Sequence, residues 1–379
     1  EYGKNLDRNI KDLVQRLKNK SFKPLPSLRV YIPKANGKKR PLGIASYEDK
    51  IVQMAVKKIL GAIYEPRFLN CMYGFRPNRG CHEAIKEIYQ RISYGKISYI
   101  VDADIKGFFD HIDHEWMMKF LEWNIQDKNL LWLIRKYLKA GIMEQGKFEP
   151  TEEGSAQGSV MSPMLANIYM HHVLTLWFKL VVQREMQGEC FLVNFADDFV
   201  AGFQYKWEAE NYYKLLKERM EKFGLQLEDS KSRLLQSGAY IARAKQKSGE
   251  CIRLQTFDFL GFTFYCGRSR KGMPYIMPKT SSKKFRQKIR DIKVWLYANR
   301  DQPLKKLMGM LNLKLIGHYR YYGISFNGRM ISNYKQQVRE LLFKVLNRRS
   351  DRKSYTREGF IEMLKYYPLA MPKIYVSLF

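Results

Sequence analysis

The spacing of apolar residues divides the chain into helical and extended stretches. Apolar residues recur every three or four positions in four segments that predict helices, at residues 5–20, 48–63, 116–138 and 160–182. Short apolar or β-branched runs predict strands at residues 28–32, 40–44, 99–103, 191–194 and 199–203. The turn Ala35-Asn36-Gly37-Lys38 separates the first two strands, and Asn-Gly is typical of a hairpin. Because strands and helices neither alternate strictly nor segregate, their order predicts an α+β fold.

The length of the chain predicts more than one compact region. With 379 residues it can bury substantial cores, and two or three packed subdomains are the natural expectation. The segment at residues 267–274 is basic and is interrupted by glycine and proline. We therefore expect a linker near residues 267–280 and a separate C-terminal region after it.

Positive charge is in large excess and increases towards the C-terminus. The sequence holds 67 Lys and Arg against 37 Asp and Glu, a net charge of +30. Residues 279–379 contain 23 of these basic residues and 6 of the acidic ones, or +17. This excess favours a polyanionic partner, with nucleic acid as the first candidate. We find no run of about 18 apolar residues and no signal segment, so we expect a cytoplasmic protein without a membrane partner.

The cysteines do not fall at the spacing of a zinc site or a redox pair. No two of them are separated by two residues, and no Cys/His cluster is present in the sequence. We expect reduced, structural thiols at Cys71, Cys81, Cys190, Cys251 and Cys266. The sequence therefore gives no indication of a zinc-stabilised nuclease module.

Two of the predicted strands end in acidic residues. Asp104 ends the segment Tyr99-Ile-Val-Asp-Ala-Asp, and Asp197 and Asp198 follow Phe191-Leu-Val-Asn-Phe-Ala. Mg²⁺ prefers oxygen ligands, takes one or two carboxylates and completes its shell with water and substrate phosphates. In a two-metal site about 3.5–4 Å across, the ions activate a hydroxyl and neutralise a leaving pyrophosphate. One acidic residue from each strand can bridge both ions.

An aspartate near a strand end is more often a turn former, because its side chain bonds its own backbone. That interpretation suits Asp197 and Asp198 poorly, since adjacent like charges in an apolar hairpin are costly without cations. We therefore predict that Asp104, Asp197 and Asp198 are the catalytic residues and the metal ligands. Asp102 and Asp110 are interpreted as structural.

A series of sequence blocks, in order along nearly the whole chain, resembles one known family. The blocks are Arg29-Val-Tyr-Ile-Pro-Lys34 with Gly37-Lys-Lys-Arg40-Pro-Leu-Gly-Ile, Tyr73-Gly-Phe-Arg76-Pro-Asn, Asp104-Ile-Lys-Gly-Phe-Phe109-Asp, Gln157-Gly158 with Ser162-Pro163, Phe195-Ala-Asp-Asp198, Gly224-Leu-Gln-Leu with Lys231, Phe257-Asp-Phe-Leu-Gly-Phe262, and Lys283 to Ile324. Together they resemble a group II intron-encoded reverse transcriptase with its maturase domain. The resemblance implies a right-hand polymerase with fingers at 1–98, a palm of antiparallel sheet plus helices carrying the catalytic site at 99–270, and a helical thumb or maturase-specific domain at 275–379.

The resemblance implies a deoxynucleotide site formed by Lys34, Arg40, Phe109, Gln157, Gly158 and Lys231. Lys34 and Arg40 would hold the triphosphate, and Phe109 would exclude a 2′-hydroxyl, which favours dNTPs. Gln157 and Gly158 would let the backbone approach the template and the nascent pair, and the lysine at 231 would donate a proton to pyrophosphate. The residue types alone leave open a solvated basic hairpin, a core phenylalanine, an ordinary turn and an exposed lysine.

The resemblance also implies contacts to nucleic acid, by Arg76, Lys283, Lys284, Arg286, Lys288, Arg290, Lys293, Tyr319 and Arg320. The basic residues after 282 would follow the phosphates of an A-form duplex. Tyr319 beside Arg320 would stack on nucleotides, with packing in the thumb core as the alternative for the tyrosines. The implied partners are an RNA template, a DNA primer, dNTPs and a structured, intron-like RNA, with two Mg²⁺ ions as cofactor and Mn²⁺ as an alternative.

Two blocks depart from the usual family pattern. Ala156-Gln157-Gly158-Ser159 stands where Pro-Gln-Gly-Gly is usual, and Asn194-Phe195 stands where Arg-Tyr is common. Neither change removes a predicted metal ligand, so we expect an effect on efficiency rather than on activity. The first block suggests that the start of the chain is truncated or disordered. Because no nuclease module follows the thumb, we expect cleavage of a second strand to need another route.

Three functions remain open from the sequence. The first is a reverse transcriptase, the second is an RNA-binding splicing cofactor, and the third is a domesticated relative in phage defence, CRISPR spacer acquisition or DNA repair. A viral-type RNA polymerase is disfavoured because Phe109 occupies the position where a residue tolerant of the 2′-hydroxyl would be expected. The native template, the priming mode and the oligomeric state are left open.

Overall fold

The computed structural model describes residues 2–33, 39–155, 158–230, 232–269, 271–349 and 354–379. The chain forms two compact units. Unit 1 comprises Glu1–Ala84 and Tyr99–Leu234, and unit 2 comprises Ile85–Ser98 and Leu235–Phe379. These units group the chain differently from the predicted fingers, palm and thumb, whose limits stay a prediction.

Helices and strands are mixed along the chain, as the predicted α+β class requires. The helices are α1 Leu6–Lys18, α2 Tyr47–Tyr64, α3 Cys81–Tyr94, α4 His114–Glu122, α5 Lys128–Leu138, α6 Ser162–Met170, α7 Gln183–Glu185, α8 Lys206–Lys222, α9 Ala239–Lys247, α10 Ser282–Ala298, α11 Leu304–Tyr322, α12 Gly328–Leu346 and α13 Arg357–Tyr366. The strands are β1 Ser27–Pro33, β2 Lys39–Ile44, β3 Tyr99–Asp104, β4 Ile142–Glu144, β5 Lys147–Glu149, β6 Cys190–Phe195, β7 Asp198–Phe203, β8 Arg233–Gln236, β9 Phe257–Phe259, β10 Phe262–Arg268 and β11 Pro274–Thr280. Short 3₁₀ turns occupy Tyr2–Asn5 and Phe108–Asp110.

The helix predicted at residues 116–138 is two helices. α4 ends at Glu122, and α5 begins after Asp127, whose side chain accepts hydrogen bonds from the backbone N–H groups of Asn129 and Leu130. An aspartate in this position satisfies donors that the first turn of a helix leaves unpaired. The prediction of one continuous helix was wrong because apolar spacing continues across the break, whereas the capping residue sets the new start.

The central sheet of unit 1 brings the acid-bearing strands together. Its order is β6-β7-β3-β8, and β7 pairs antiparallel with both β3 and β6. Buried residues of these strands, such as Val101, Phe199 and Phe203, belong to the core of the unit, and α8 packs against β3 and β7. The acidic residues at 104 and 198 are terminal residues of their strands, so they lie at one end of this sheet.

A second sheet of unit 1 contains the predicted hairpin, in the order β2-β1-β4-β5. β1 and β2 pair antiparallel, from Leu28 opposite Ile44 to Pro33 opposite Lys39, which confirms the two predicted strands. The predicted turn at residues 35–38 lies outside the described residues. β1 also pairs in parallel with β4, which is more than 100 residues later in the sequence.

The apolar segment predicted as a helix at 160–182 is a buried helix of unit 1. Helical structure runs from Ser162 to Glu185, and all residues of α6 except Pro163 are buried. By length and composition alone this is the one described helix that could cross a membrane, and 67% of its apolar window is buried inside the protein. Burial of this extent is what the core helix of a folded domain shows.

This same helix widens twice after α6. The stretches His171–Thr175 and Phe178–Val182 are π-helical. The guanidinium of Arg219 in α8 donates hydrogen bonds to the carbonyl oxygens of His172 (3.1 Å) and Val173 (3.0 Å). A π-helical turn displaces carbonyl groups from their α-helical partners, and Arg219 provides donors for two of them.

The predicted linker near residues 267–280 is a β-hairpin of unit 2. β10 and β11 pair antiparallel from Phe262 opposite Thr280 to Arg268 opposite Pro274, and β9 adds a third strand. Alternate residues of β11 are buried, so this strand contributes to the core of the unit. The prediction of a linker was therefore wrong, because the glycine and proline residues mark a hairpin turn between two core strands.

Helices α10, α11 and α12 supply most of the remaining core of unit 2. The ring of His318 in α11 stacks on Tyr334 in α12 with centroids 3.6 Å apart. Burial lowers the pKa of His318 to about 3, and neither ring nitrogen has a hydrogen-bond partner among the described residues. His318 is therefore a neutral packing residue at physiological pH.

Candidate active site

Three aspartates meet at one end of the central sheet. Asp104, the last residue of β3, lies directly opposite Asp198, the first residue of β7. Asp198 also faces Phe195, the last residue of β6, so Ala196 and Asp197 alone form the turn between β6 and β7. The structure therefore brings the three predicted acidic residues together, two on adjacent strands and one in the hairpin turn.

An ion pair with Arg233 distinguishes Asp102 from the predicted catalytic residue Asp104 on the same strand. Asp102 is two residues before Asp104 and therefore projects from the same face of the strand. One oxygen of Asp102 lies 3.3 Å from the guanidinium of Arg233, which agrees with its interpretation as structural. Asp104 and Asp197 are half-buried and Asp198 is exposed, so a ligand in solution can reach all three.

The donor set at this sheet end fits a hard divalent cation. Three carboxylates offer oxygen ligands, which is the ligand type that Mg²⁺ prefers. Directly opposed residues of antiparallel strands have Cβ atoms about 4.5–5.5 Å apart, so Asp104 and Asp198 can share a small ion. Among the described residues, no three His, Cys, Asp or Glu side chains already form a metal-binding group. Binding of a cation would therefore have to draw the carboxylates together against their mutual repulsion.

The hairpin turn rests on the segment that precedes α3. The backbone N–H of Tyr73 donates to the carbonyl of Asn194, and the N–H of Asn194 donates to the carbonyl of Cys71, each at 2.8 Å. A Cβ atom on Gly74 would lie 2.6 Å from the backbone nitrogen of Ala196, so only glycine fits at this position. This block of the sequence therefore supports the aspartate-bearing turn through its backbone.

A cavity of about 320 Å³ lies in unit 1 beside Phe109. Its walls come from β1, β2 and the loop after β5, and they include Arg29, Pro41, Gly43, Phe109, Glu153 and Gly154. Phe109 is half-buried, with its ring 5.4 Å from that of Phe108, so it forms part of the cavity wall as well as of the core. The cavity is at the small end of the size range of ligand pockets in proteins.

The other predicted nucleotide-binding residues are only partly described. Arg40 is exposed on β2, opposite Ile32. Gly158 has φ +106°, and a Cβ atom there would lie 2.8 Å from the carbonyl oxygen of Gly43, so its close backbone approach is to β2. Three predicted residues lie outside the described residues, namely Lys34, Gln157 and Lys231. The roles of all of these residues in nucleotide binding stay predictions.

Arg76 is buried, which contradicts its predicted role in nucleic-acid binding. Its side chain is 6% exposed, and its Nε lies 2.7 Å from a carboxylate oxygen of Glu65. The same guanidinium donates to the carbonyl oxygens of Leu69 (2.8 Å) and Met72 (3.1 Å), and it lies over the ring of Phe68. Arg76 therefore stabilises the loop between α2 and α3, because its hydrogen-bond donors are used inside unit 1.

The basic residues predicted on α10 lie on its exposed surface. All six are exposed, namely Lys283, Lys284, Arg286, Lys288, Arg290 and Lys293. Four of them, at 283, 286, 290 and 293, recur at spacings of three and four residues and form one stripe, which we call the α10 basic stripe. The opposite side of the helix is buried, through Phe285, Ile292 and Leu296.

Two of the three tyrosines at the end of α11, Tyr319 and Tyr322, are core residues, and Tyr321 is half-buried. Tyr319 is 0% exposed, which contradicts its predicted stacking on nucleotides and confirms the alternative of packing in the core. The hydroxyl of Tyr321 donates to the carbonyl of Leu260 at 2.8 Å and ties α11 to the turn before β10. Arg320 is exposed, so its predicted contact with nucleic acid stays a prediction.

Arg29 lies in the cavity wall, a position that the sequence did not indicate. Its guanidinium lies 3.3 Å from Glu144 in β4 and 3.9 Å from Glu149 in β5. The contact follows from the parallel pairing of β1 with β4, for which the sequence carries no local signal, since the two strands are far apart in the chain. The acidic partners hold Arg29 at the same wall as Phe109.

Comparison with known families and proteins agrees with this geometry. The family model of reverse transcriptase (RNA-dependent DNA polymerase) matches residues 32–264, and that of the group II intron maturase-specific domain matches residues 282–361. The group II intron-encoded protein LtrA of Lactococcus lactis subsp. cremoris is 43% identical over 182 residues, which is 47% of this chain and 30% of that protein. Protein YkfC of Escherichia coli K12 is 40% identical over 153 residues, which is 40% of each chain.

These similarities cover parts of longer relatives. The chain spans less than half the length of the two relatives named above. A solved structure of telomerase from Candida albicans, in complex with a fragment of telomeric RNA, is similar with a TM-score of 0.49 and 12% sequence identity over 94% of this chain and 64% of that chain, a likeness too low to carry an argument. The reverse transcriptase model, by contrast, matches more than half of the residues and includes all three aspartates. The chain therefore belongs to the reverse transcriptase family and carries a group II intron maturase-specific domain after the reverse transcriptase region.

Proposed function

We propose that this protein is an RNA-directed DNA polymerase that extends a DNA primer on an RNA template by two-metal nucleotidyl transfer. The observation that carries the proposal is the convergence of Asp104, Asp197 and Asp198 at one end of the central sheet in a chain of the reverse transcriptase family. Members of this family use divalent metal ions. The oxygen donors present here suit two Mg²⁺ ions, with Mn²⁺ as an alternative.

The three aspartates would hold the ions and thereby align the reacting groups. When bound, such ions lower the pKa of the primer 3′-hydroxyl and neutralise the departing pyrophosphate. The 3′ oxygen forms a bond to the α-phosphorus of the dNTP, the bond to the bridging oxygen breaks, and the hydroxyl proton passes to solvent. Asp104 and Asp198 lie on paired strands, so the sheet sets the separation of their backbones, and only their side chains would have to move when ions bind.

The cavity beside Phe109 would receive the incoming nucleotide. Phe109 forms one wall, where it would lie under the sugar and leave no room for a 2′-hydroxyl. Arg40 on the exposed strand β2 and Lys34 would bind the triphosphate, and Gln157, Gly158 and Lys231 keep their predicted roles in the proposal. Selectivity for dNTPs over NTPs therefore depends on the size of one side chain.

Primer extension on an RNA template with Mg²⁺ tests the proposal. Wild type is expected to synthesise DNA from dNTPs and to use NTPs poorly. Asp197→Ala is expected to abolish synthesis while leaving the melting temperature and the affinity for the template–primer close to those of wild type. Absence of synthesis by the wild-type protein, with tight binding of the template–primer, would reject the polymerase function for this chain.

A second function, assistance of RNA splicing, rests on unit 2. The match to the maturase-specific domain and the exposed α10 basic stripe favour binding of a structured, intron-like RNA. We expect Asp197→Ala to retain this RNA binding and any splicing assistance, because the change lies in unit 1 and alters no basic residue. Equal loss of splicing and synthesis in Asp197→Ala would contradict a separate RNA-binding function.

A further inference from the structure

The side chain of Asn194 lies inside the hairpin that carries two of the aspartates. Asn194 is in β6, opposite Phe199 of β7, and is 1% exposed. Its side-chain Nδ2 donates a hydrogen bond to the backbone carbonyl oxygen of Ala196 at 2.7 Å. Its backbone N–H and C=O groups are both used by the segment at Cys71 and Tyr73, so the residue is fixed on both sides.

The carbonyl that Asn194 binds belongs to the residue that makes the turn. Ala196 has φ 57°, in the left-handed region that residues with a side chain adopt rarely. The peptide plane between Ala196 and Asp197 sets the direction in which the Asp197 side chain leaves the turn. A hydrogen bond to the Ala196 carbonyl therefore fixes the orientation of a predicted metal ligand.

The hydrogen bond requires a donor at this position. The Ala196 oxygen accepts, so the amide nitrogen of Asn194 must point to it, and the opposite amide orientation would place two oxygens in contact. The other amide atom, Oδ1, is buried without a hydrogen-bond partner among the described residues. A buried polar atom of this kind is costly, and a leucine of similar shape would avoid it. The burial of Oδ1 is unfavourable, and the hydrogen bond from Nδ2 to the Ala196 carbonyl is what this side chain contributes in return.

We propose that Asn194 is a positioning residue for metal-dependent synthesis, because its amide locks the Ala196–Asp197 turn and so aligns the aspartates. The inference rests on the proposed polymerase function and deepens it at the same site. The ligand whose binding depends on this alignment is a divalent cation. Mg²⁺ demands near-ideal octahedral geometry, whereas larger cations tolerate more distortion. The turn would set how well this chain discriminates between Mg²⁺ and Mn²⁺.

Asn194→Leu tests the inference, because leucine keeps the shape and removes the donor. Tyr169→Phe is the matched control, since it deletes another buried hydrogen bond of unit 1, from the Tyr169 hydroxyl to the Phe223 carbonyl at 2.6 Å, away from the hairpin. For Asn194→Leu we expect a kcat lower by about ten- to a hundredfold with Mg²⁺, because misplacement of about 1 Å has effects of this order. The KM for dNTP is expected to stay near that of wild type, and Mn²⁺ is expected to restore part of the kcat.

A titration of Mn²⁺ followed by electron paramagnetic resonance, without nucleic acid or nucleotide, gives a second readout. We expect Asn194→Leu to bind Mn²⁺ several times more weakly than wild type and Tyr169→Phe to bind it equally well. Wild-type kcat with Mg²⁺ in a folded Asn194→Leu protein would overturn the inference, as would equal losses in the two variants. If the leucine variant does not fold, Asn194→Ala is measured in the same way, and wild-type values there overturn it too.

The same experiments separate this inference from the proposed function. If wild type makes no DNA, the polymerase function fails, while the Mn²⁺ titration still decides the role of Asn194. If wild type makes DNA and Asn194→Leu matches it in both metal ions and in Mn²⁺ affinity, the positioning role fails and the polymerase function stands.

Discussion

Two regions of the molecule are built in opposite ways. One is the end of the central sheet of unit 1 with Asp104, Asp197 and Asp198, which we call the aspartate edge, and the other is the α10 basic stripe of unit 2. At the edge, strand register and a two-residue turn fix the backbone positions of the three aspartates. The turn lies so close to Gly74 that only glycine fits there. On the stripe, four basic side chains extend from one helix into solvent, and only the buried side of the helix constrains them. Function at the edge should therefore depend on position, and function on the stripe should depend on total charge.

The largest expected effect comes from a change of one atom at the edge. Asp104→Asn keeps the size of the side chain and removes the negative charge that faces Asp198. We expect primer extension with Mg²⁺ to fall about a thousandfold or more, because loss of a shared ligand removes several kcal/mol of transition-state stabilisation. Steady-state extension on an RNA template measures it.

The control for this variant is binding of the template–primer, measured by fluorescence anisotropy, which we expect to be unchanged. Asp102→Asn, two residues earlier on the same face and paired with Arg233, is expected to retain synthesis within about threefold, as for a partly exposed ion pair. Equal losses in the two variants would show that the edge responds to charge in general, and the contrast with the stripe would disappear.

The next largest effect is expected for Arg76. By residue type it is like the basic residues of the stripe, but its side chain is held in one position, like the aspartates of the edge. Arg76→Ala is expected to lower the free energy of unfolding by about 3–5 kcal/mol, because Glu65 loses a partner that is almost fully buried. Chemical denaturation measures the loss. The salt dependence of RNA binding by the folded fraction is expected to stay unchanged, since only 6% of the Arg76 side chain is exposed.

Arg79→Ala is the matched control for Arg76. Arg79 is half-buried, and its hydrogen bonds to Asn70 lie at the surface, so we expect a change in unfolding free energy of at most about 1 kcal/mol. A large change in the salt dependence of RNA binding for Arg76→Ala would reinstate its predicted contact with nucleic acid.

Acid should weaken the core beneath the basic stripe. The pKa of His318 is about 3 in the folded protein and near 6.5 when the chain is unfolded. Because only the unfolded chain takes up the proton between these values, the stability from the neutral ring is complete above pH 6.5 and is lost as the pH falls towards 3. The loss should approach about 1.4 kcal/mol per pH unit below 6.5.

Denaturation of wild type and His318→Phe at pH 7 and pH 5 measures this effect. Phenylalanine keeps the stacking on Tyr334 and cannot be protonated, so the variant should lose about 2 kcal/mol less than wild type over this range. Burial lowers the pKa values of His171 and half-buried His172 to about 4, so unit 1 should stay acid-sensitive in both proteins. Identical pH dependence in wild type and His318→Phe would contradict the assignment.

The smallest effects are expected on the stripe itself. Single changes of Lys283, Arg286, Arg290 or Lys293 to Gln should each weaken RNA binding only about two- to threefold, and together they should reduce the slope of log affinity against log salt by up to about 3. Lys305→Gln, an exposed residue of α11, removes the same charge away from the stripe and should have less effect. Loss of binding from one stripe residue alone would mean that position, not total charge, governs this surface too.

The aspartate edge could be predicted from the sequence because it depends on local rules. A strand end is visible in an apolar run, and an Asp-Asp pair between two such runs has few structural explanations. These signals predict the strands and the acidic residues at their ends, whereas the pairing of β3 with β7 and the position of Asp104 opposite Asp198 come from the structure. The two strands β1 and β2 were predicted from the same kind of signal, and the structure confirms them.

Features that depend on distant residues could not be predicted in this way. Burial of Arg76 depends on Glu65, directly after the preceding helix, and on the carbonyl groups of Leu69 and Met72, which come within reach only when the chain folds. The predicted linker at 267–280 is a strand hairpin in the structure. Alternate residues of β11 pack into a core formed by residues from distant parts of the chain, which a short stretch of sequence does not show. Arg29 reached the cavity wall through a strand pairing with no local signal. Residue type and motif position did not distinguish a buried basic side chain from an exposed one.

The two π-helical stretches after α6 limit how this protein can be recombined with its relatives. Each wide turn holds an additional residue and rotates everything after it by about 100° relative to a regular helix. If this helix were replaced by a regular helix from a relative, β6 and the turn with Asp197 would therefore be rotated relative to the rest of unit 1, even if every motif were retained. Chimeras should exchange the segment from Ser162 to Phe203 as one block, together with Arg219, which holds the displaced carbonyls.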